Sequence, residues 1–370
     1  MQLKLPAASL LAELQTAARV ASTRSAVQAL SGIQLHAGED GHAELRATDM
    51  EVGLRLTLDA DVASPGEVVL PARLLLDVVR ALPGPDVIVA LRPAEQDVEI
   101  LSGSAAFYLR TLRNEDFPHL PTAAAGDALS LDAAAFIDTV LRVSRSASHD
   151  ETRPVLTGIL VSASETELRM VATDSYRLSV KSTALATPVP TPLEANVPAR
   201  ALAEVVRVAQ QAESEAIAIS RSENQIVFTV ERAVLSSRLI DGQFPNYRLL
   251  LPESADHELT VDREELASVV RRISLLAQKN APLRLGFSEG QLLVSANTPD
   301  VGEARESLPV PFAGEPFEIG FNAEFLRDGL ESVESEQVVL RLTSPLRPGL
   351  IESADGSEFT YLVMPIRLNT

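Results

Sequence analysis

The sequence of 370 residues contains no cysteine and no tryptophan. Without cysteine there can be no disulfide, no thiolate nucleophile and no metal site built on sulfur, and nothing points to an oxidising compartment. No stretch reaches the roughly 18 to 20 apolar residues that a bilayer span needs, and the start of the chain lacks a signal-peptide pattern. The sequence therefore predicts a soluble, cytoplasmic protein that does not enter a membrane.

Lysine is also scarce, because only Lys4, Lys181 and Lys279 occur, and arginine carries nearly all the positive charge. The 51 acidic side chains outnumber the 32 basic ones, which gives a formal charge of −19 and a pI near 4.7. A field of that sign repels phosphate. The composition therefore excludes a protein that coats nucleic acid or anionic membrane through its overall charge, but it allows a local basic face.

Enzyme motifs are missing as well. The chain has no phosphate-cradling P-loop, no dinucleotide fingerprint and no metalloprotease spacing among its five histidines. Two acidic pairs, Asp49 with Glu51 and Asp150 with Glu151, could bind magnesium or act as acid and base, although neighbouring carboxylates are expected in so acidic a chain. We predict a non-enzymatic protein with no catalytic residue, metal or cofactor, and keep a carboxylate-dependent hydrolase as an alternative.

What the chain does contain is an internal repeat of about 125 residues. Three sets of markers recur in the same order: the triplets Pro71-Ala72-Arg73, Pro198-Ala199-Arg200 and Asn322-Ala323-Glu324; the threonines Thr48, Thr173 and Thr298; and the strings Asp116-Phe117-Pro118 and Gln243-Phe244-Pro245, with Met364-Pro365 as a looser echo. Shared order and spacing predict three homologous modules, which we place at residues 1–125, 126–254 and 255–370.

Each module combines two helical patterns with segments that alternate in period two. Apolar residues at spacings of 3 and 4 predict helices over 7–24, 71–83, 131–149, 198–211, 262–279 and 322–333. Alternation predicts strands within 42–58, 97–113, 155–182, 225–240, 284–296 and 337–364. Asp132 and Asp262 stand where N-caps belong. The predicted fold class is α+β, with two helices on mostly antiparallel sheet in each module.

The charge is unevenly distributed between these elements. The predicted helices carry a net charge of +2, so the strands and loops carry −21. Arginines recur in equivalent helices, and on one shared side they would form a phosphate-facing surface that does not read bases. The alternative, which the sequence leaves open, is that they are ordinary solvated positions beside Glu and Asp at helical spacing.

Three strings give the chain a recognisable resemblance. They are Val171-Ala172-Thr173-Asp174-Ser175-Tyr176-Arg177-Leu178, Ile240-Asp241-Gly242-Gln243-Phe244-Pro245-Asn246-Tyr247 and Tyr361-Leu362-Val363-Met364-Pro365-Ile366-Arg367-Leu368. Together with the repeated Pro-Ala-Arg triplets, they resemble the bacterial DNA polymerase III beta subunit, the sliding clamp, over essentially the whole chain.

The resemblance implies a head-to-tail homodimeric ring with three modules per subunit, helices lining the hole and sheets at the rim. Such a ring has no enzymatic activity. It encircles duplex DNA without reading its sequence and confers processivity in DNA replication by tethering the replicative polymerase. Its other partners would be an ATP-dependent clamp loader and proteins that carry short apolar clamp-binding peptides.

The resemblance also implies three sets of site residues. For the DNA-facing set the resemblance implies Arg24, Arg73, Arg80 and Arg200, together with the loop residues His149 and Arg153, and the recurring helix arginines add Arg142, Arg145 and Arg207. The partner-peptide pocket is Leu156, Thr173, Ser175, Tyr176, Arg177, Leu178, Pro245, Leu250, Leu362, Met364, Pro365 and Ile366. The dimer interface is Phe107, Leu109, Leu275 and Leu276.

Two features leave other readings open. Leu74 and Ala201 occupy positions that are often lysine in the family, which implies weaker contact with DNA. From the residues alone, the C-terminal string also reads as a final strand packed into the core, with Pro365 at its end. A monomeric adaptor that binds peptides but not DNA is therefore an alternative function, and the mass in solution would discriminate between the two.

Overall fold

The computed structural model describes residues 1–122, 128–189, 191–222, 224–277 and 281–368. These residues contain six α-helices: α1 Ala7–Val20, α2 Ala72–Arg80, α3 Ala133–Ser144, α4 Ala199–Gln211, α5 Arg263–Ser274 and α6 Ala323–Glu331. All six predicted helices are confirmed, each somewhat shorter than the pattern suggested. No helix in the described ranges is long and apolar enough to cross a membrane.

The strands of the first repeat are β1 Gln2–Pro6, β2 Gly32–Ala37, β3 Ala43–Thr48, β4 Val52–Leu58, β5 Asp61–Ser64, β6 Gly66–Pro71, β7 Asp86–Arg92, β8 Asp97–Ser102 and β9 Ala105–Arg110. Those of the second are β10 Leu129–Asp132, β11 Gly158–Ser164, β12 Glu167–Thr173, β13 Arg177–Ala184, β14 Leu193–Pro198, β15 Ala216–Ser222, β16 Gln225–Val230 and β17 Ala233–Arg238. Those of the third are β18 His257–Asp262, β19 Leu283–Ser288, β20 Gln291–Thr298, β21 Gly302–Pro309, β22 Phe317–Phe321, β23 Gln337–Leu342, β24 Gly349–Ser353 and β25 Phe359–Val363.

The order of these elements repeats three times along the chain. Each repeat runs from one strand into a helix, through four strands (five in the first repeat), into a second helix and then through three more strands. The predicted α+β class and its three repeats are confirmed. The exact module boundaries remain predictions, and residues 125 and 126 lie outside the described residues.

The helices begin and bury one face for reasons visible in the sequence. Asp262 caps α5 by accepting a hydrogen bond from the backbone N–H of Glu265 at 2.7 Å, as predicted. In α1 the residues Leu10, Leu14 and Ala17 are fully buried, which is the spacing of a core-facing stripe. The helix ends at Val20, since Ala21 has an extended ψ of 136°.

Contacts divide the chain into two compact units, which we call unit 1 (Met1–Ala134 with Arg200–Leu239) and unit 2 (Ala135–Ala199 with Ile240–Thr370). Unit 1 holds a five-stranded sheet in the order β5-β1-β7-β8-β9 and an eight-stranded sheet in the order β10-β15-β16-β17-β4-β3-β2-β6. Unit 2 holds an eight-stranded sheet in the order β14-β11-β12-β13-β25-β24-β23-β18 and a four-stranded sheet in the order β21-β20-β19-β22. All the paired strands in these sheets are antiparallel.

The eight-stranded sheets are joined in the same way in both units. In unit 1, β4 pairs with β17, with Val52 opposite Ser237. In unit 2, β13 pairs with β25, with Arg177 opposite Val363. In the third repeat, the strand equivalent to β4 and β13 is β21. In the first repeat, the strand equivalent to β17 and β25 is β9. Both β21 and β9 lie at the edge of their sheets. One edge of each smaller sheet therefore offers unpaired backbone groups.

Candidate functional site

An open apolar pocket of about 560 Å³ lies within unit 2. It is formed where β12 ends and β13 begins, beside β25, the segment after Tyr247 and the loop before β24. Its lining is Thr173, Ser175, Arg177, Leu178, Leu249, Leu250, Leu251, Pro252, Glu253, Ser254, Thr343, Leu346, Arg347, Pro348, Leu362 and Met364. The volume is in the range of pockets that bury a small ligand or the anchor residues of a peptide.

The turn between β12 and β13 is fixed by its own side chains. The hydroxyl of Thr173 donates to the carbonyl of Arg177 at 2.7 Å and accepts from the N–H of Ser175. The Asp174 carboxylate accepts from the N–H groups of Tyr176 and Arg177 at 2.8 and 2.9 Å. Ser175 has a φ of +81°, a left-handed conformation that these bonds stabilise. The turn therefore presents Ser175 and Arg177 to the pocket in a fixed orientation.

Arg177 is the buried cation of the pocket. Its guanidinium donates to Asp174 at 3.1 Å and to Asp328 of α6 at 2.5 Å, and it lies 4.4 Å from the ring centroid of Phe325. Burial alone would lower the pKa of Arg177, but the phenolic group of Tyr361 and the two carboxylates outweigh it and raise that pKa. Arg177 therefore stays charged, and its side chain is held in place by both carboxylates.

The Tyr361 ring completes the apolar support beneath this network. It is fully buried, and its hydroxyl donates to the carbonyl of Phe325 at 2.7 Å. Burial raises the pKa of the Tyr361 hydroxyl, so the side chain remains a neutral donor. The side chains around Arg177 thus form a rigid wall on one side of the pocket.

Seven of the twelve predicted pocket residues line this cavity: Thr173, Ser175, Arg177, Leu178, Leu250, Leu362 and Met364. Five do not line this cavity, and their place in a partner-peptide pocket stays a prediction. Leu156 is buried, Pro245 lies outside the cavity wall, and the ring of Tyr176 is 60% exposed and stacks on Phe325. Pro365 and Ile366 lie beyond the end of β25, where the N–H of Ile366 donates to the carbonyl of Gly320 at 2.7 Å.

Sequence reasoning missed the opposite wall. Leu249 and Leu346 are 81% and 63% exposed and line the pocket together with Leu251 and Pro348. The run Arg248-Leu249-Leu250-Leu251-Pro252 was the available signal, because its three leucines lie outside every predicted helix and strand. The opposite wall therefore adds apolar lining residues that the predicted set lacked.

The predicted DNA-facing residues of unit 1 are all exposed at their positions: Arg24, Arg73, Arg80, Arg200 and Arg207. Arg24 and Arg73 make no ion pair with any described residue. The other three are paired with acids, Arg80 with Asp77 at 3.4 Å, Arg200 with Asp49 at 2.5 Å and Arg207 with Glu204. Of this predicted set, two arginines therefore have no ion pair with a described residue, and the charge of the other three is partly neutralised.

In unit 2 one prediction needs correction. Arg142 is buried, and its guanidinium donates to Asp138 at 2.7 Å and to the carbonyl of Ser332 at 2.6 Å, with Glu334 also within 2.5 Å. A guanidinium with all its donors directed into the protein cannot face DNA as an exposed cation. Arg142 is a structural residue that links α3 to the end of α6.

The other three predicted residues of unit 2 are exposed. Arg145 pairs with Glu331 at 2.6 Å, and His149 lies in the loop after α3. Arg153 donates to Asp150 at 3.0 Å and to the hydroxyl of Ser175 at 3.0 Å. Arg153 thus lies beside a pocket-lining residue, which the sequence did not indicate.

The four predicted interface residues lie near the two sheet edges. Phe107 and Leu109 belong to the edge strand β9, with Leu109 buried and Phe107 half-buried. Leu275 follows the last residue of α5 and is 83% exposed, whereas Leu276 is half-buried. A leucine left so exposed at a helix end favours a contact surface over a core position.

The two acidic pairs have local structural explanations. The carboxylate of Asp49 accepts from the N–H groups of Glu51 and Val52, and that of Asp150 accepts from Thr152. Hydrogen bonds from Thr152 and Arg153 hold the pKa of Asp150 below its usual range. In the described ranges, no three acidic or histidine side chains converge as a metal site would require.

Comparison with known proteins gives one consistent answer. Three family models match in succession: the N-terminal, central and C-terminal domains of the DNA polymerase III beta subunit, over residues 1–121, 130–246 and 248–367. The beta sliding clamp of Synechococcus elongatus is 35% identical over 332 residues, with 88% of each chain covered. The solved DNA polymerase III subunit beta of Pseudomonas aeruginosa is 30% identical with a TM-score of 0.91, and the Bacillus subtilis clamp is 26% identical with a TM-score of 0.94, each covering both chains completely. The chain therefore belongs to the DNA polymerase III beta subunit family, the sliding clamps that act in DNA replication as non-catalytic processivity factors.

Proposed function

We propose that two copies of this chain join head to tail in a ring that encircles duplex DNA, and that the pocket of unit 2 docks short apolar peptides of the replicative polymerase and other partners. The observation that carries the proposal is the pair of unpaired edge strands, β9 and β21. An ATP-dependent loader would open the ring, in the cytoplasm, and each copy would contribute the three modules 1–125, 126–254 and 255–370.

The edge strands support head-to-tail closure because of what their counterparts do. β4 and β13 each pair with the last strand of the following repeat, β17 and β25. β21 belongs to the third repeat and β9 to the first, and neither has such a partner among the described strands. Pairing β21 of one copy with β9 of the other would satisfy both edges and continue the internal pattern.

The joint of unit 1 supplies a register that can be transferred to this joint. Val52, Arg177 and Gly302 begin β4, β13 and β21 at intervals of 125 residues. Arg238 of β17 pairs with the first residue of β16, and Arg110 of β9 pairs with the first residue of β8. Ser237 and Leu109 each directly precede that arginine, so they occupy equivalent positions. Transferring the Val52–Ser237 pair therefore places Leu109 opposite Gly302 and Phe107 opposite Ala304.

A cysteine pair tests this register directly, since the native chain has no cysteine. The variant Phe107→Cys with Ala304→Cys should form a disulfide between copies on mild oxidation, because directly opposite residues lie within bridging distance. Phe107→Cys with Glu306→Cys is the matched control, because it keeps the same face but shifts the pairing by two residues. The product should run at about twice 39.7 kDa without reductant. Equal cross-linking of both variants, or none, would contradict the proposed joint.

The apolar pocket supports the peptide-docking part of the proposal. Leu249, Leu346 and Met364 expose apolar surface around it, and methionine adapts to differently shaped anchors. The fixed guanidinium of Arg177 supplies a polar group in the same lining. We infer that leucine and phenylalanine side chains of a partner peptide fill this pocket.

The exposed arginines support loose, sequence-independent contact with DNA. Arg24 and Arg73 have no acidic partner among the described residues, so they are free to contact phosphates. Arg80, Arg200 and Arg207 would exchange a weak surface ion pair for a phosphate, at little cost. Because few cations are free, the ring would hold DNA by enclosing it rather than by tight binding.

A further inference from the structure

A second cavity, of about 330 Å³, lies in unit 1 between α1, α4, β4 and the β16–β17 hairpin. Its lining is Glu13, Thr16, Leu56, Thr57, Val208, Gln211, Ala212, Val230, Glu231, Arg232 and Ala233. None of these residues belongs to the pocket of unit 2, to the predicted DNA-facing set or to the predicted dimer interface.

The repeats show what occupies the same place elsewhere in the chain. Thr16, Arg142 and Arg272 are the tenth residues of the equivalent helices α1, α3 and α5. Leu56, Lys181 and Glu306 occupy equivalent strand positions, 125 residues apart. The first repeat therefore has a short hydroxyl and an apolar side chain where the other two have long charged ones.

In the second and third repeats these positions form ion pairs. The ammonium of Lys181 lies 3.2 Å from Asp138, whose carboxylate also accepts from Arg142 at 2.7 Å. In the third repeat, Arg272 donates to both carboxylate oxygens of Glu306, at 2.9 and 2.6 Å. A guanidinium held by a carboxylate is thus the recurring arrangement at this site.

The first repeat has a different carboxylate at this site, Glu13, without a direct ion-pair partner among the described residues. Glu13 is half-buried at the cavity wall and makes no hydrogen bond or ion pair with any described residue. Arg232, the cation in the lining, pairs with Asp59 at 3.4 Å. Burial raises the pKa of Glu13, an effect that Arg232 only partly opposes. A desolvated carboxylate without a donor is unfavourable and would be stabilised by a cationic ligand.

We propose that this cavity binds a guanidinium or primary ammonium group on a short aliphatic chain, with Glu13 as the acceptor. Leu56, Val208 and Val230 would cover the aliphatic part, as apolar walls do in small-ligand pockets. The ligand would take the place that the Arg142 guanidinium and the Lys181 ammonium fill in the second repeat. Its source is either a free amine or an arginine side chain of a partner protein.

Titration with n-butylguanidinium, followed by calorimetry or NMR on the full chain, tests the proposal. Saturable binding is expected, and the neutral isostere n-butylurea should bind about tenfold more weakly or not at all. Glu13→Gln should weaken butylguanidinium binding by about tenfold or more, and Thr16→Arg should abolish it by supplying the guanidinium found in the other repeats. Glu39→Gln, on an exposed turn, is the matched control and should bind as the native chain does.

The outcomes separate clearly. No saturable binding to the native chain, equal affinity for the urea, or unchanged affinity of Glu13→Gln would each overturn the proposal, provided that circular dichroism shows the variants folded. The capped tripeptide Leu-Arg-Leu distinguishes the two sources of the ligand. An affinity well above that of butylguanidinium indicates an arginine side chain of a partner protein, and an equal affinity indicates a free amine. The test does not depend on ring closure or peptide docking, so either proposal can fail alone.

Discussion

Leu275 gives the sharpest test of ring closure. Its side chain is 83% exposed just after α5, beside the edge strand that we propose to pair with a second copy. In the isolated chain, Leu275→Ala removes almost no buried surface, so the free energy of unfolding should change by less than about 0.5 kcal/mol. The substitution should therefore weaken dimerisation and leave the stability of the single chain unchanged.

The magnitude follows from the area that the joint would cover. Burying a fully exposed leucine side chain contributes about 2 kcal/mol. A closed ring of two copies has two identical joints, so Leu275→Ala should weaken the dimer by roughly 4 kcal/mol, or about a thousandfold in Kd. Sedimentation equilibrium from nanomolar to micromolar concentrations would measure the change.

Leu249→Ala is a matched control for this substitution. Leu249 is 81% exposed, nearly the same as Leu275, but it lies at the pocket of unit 2. We expect Leu249→Ala to leave the dimer unchanged and to weaken binding of a leucine- and phenylalanine-containing peptide, and Leu275→Ala to do the reverse. If Leu275→Ala dimerises as tightly as the native chain, or if both variants weaken the dimer equally, the reasoning about the joint is refuted.

Three further predictions concern the pocket and the second cavity. Asp328→Asn removes one of the two carboxylates that hold Arg177. The free energy of unfolding in urea should therefore fall by about 3 kcal/mol, and peptide binding should weaken. Glu331→Gln leaves the contacts of Arg177 unchanged and should preserve both the stability and the peptide affinity. Because burial raises the pKa of Glu13, the folded protein loses stability as the pH rises through the folded-state pKa of that carboxyl. Glu13→Gln should therefore raise the free energy of unfolding at neutral pH. At a pH below the ordinary pKa of a glutamate, the native chain and the variant should be equally stable. Deleting residues 364–370 should abolish peptide binding in a fluorescence titration and leave the sedimentation mass of the dimer unchanged, and surviving peptide affinity would show that the pocket is misplaced.

The sequence predicted the six helices well because their signals are local, whereas several strands, among them β2, β7 and β21, lie outside the predicted strand ranges. The apolar spacing of each helix and the threonine at the end of β3, β12 and β20 recur in every repeat. In the first two repeats the threonine makes the same bond, since Thr48 and Thr173 each donate to the carbonyl four residues on, at 2.8 and 2.7 Å. Hydrogen bonds within a short segment require particular residues at fixed spacings, and such a pattern can be recognised in the sequence alone.

Features that depend on distant partners could not be predicted. Arg142 resembled the other helix arginines, but its acceptors at Ser332 and Glu334 lie about 190 residues away in sequence. The strand β21 was missed because its exposed, unpaired edge gives Gly302–Pro309 no clear alternation of apolar residues. Exposure of Leu346 in the pocket likewise depends on how its loop folds back beside β25.

The central claim is that this protein holds DNA by enclosing it. The most direct measurement is the lifetime of the loaded protein on a nicked circular plasmid, compared with the same plasmid cut once by a restriction enzyme after loading. Enclosure predicts long retention on the circle and rapid loss through the ends of the linear DNA, with little dependence on sequence. Equal lifetimes on circular and linear DNA would show ordinary phosphate binding and would contradict the account.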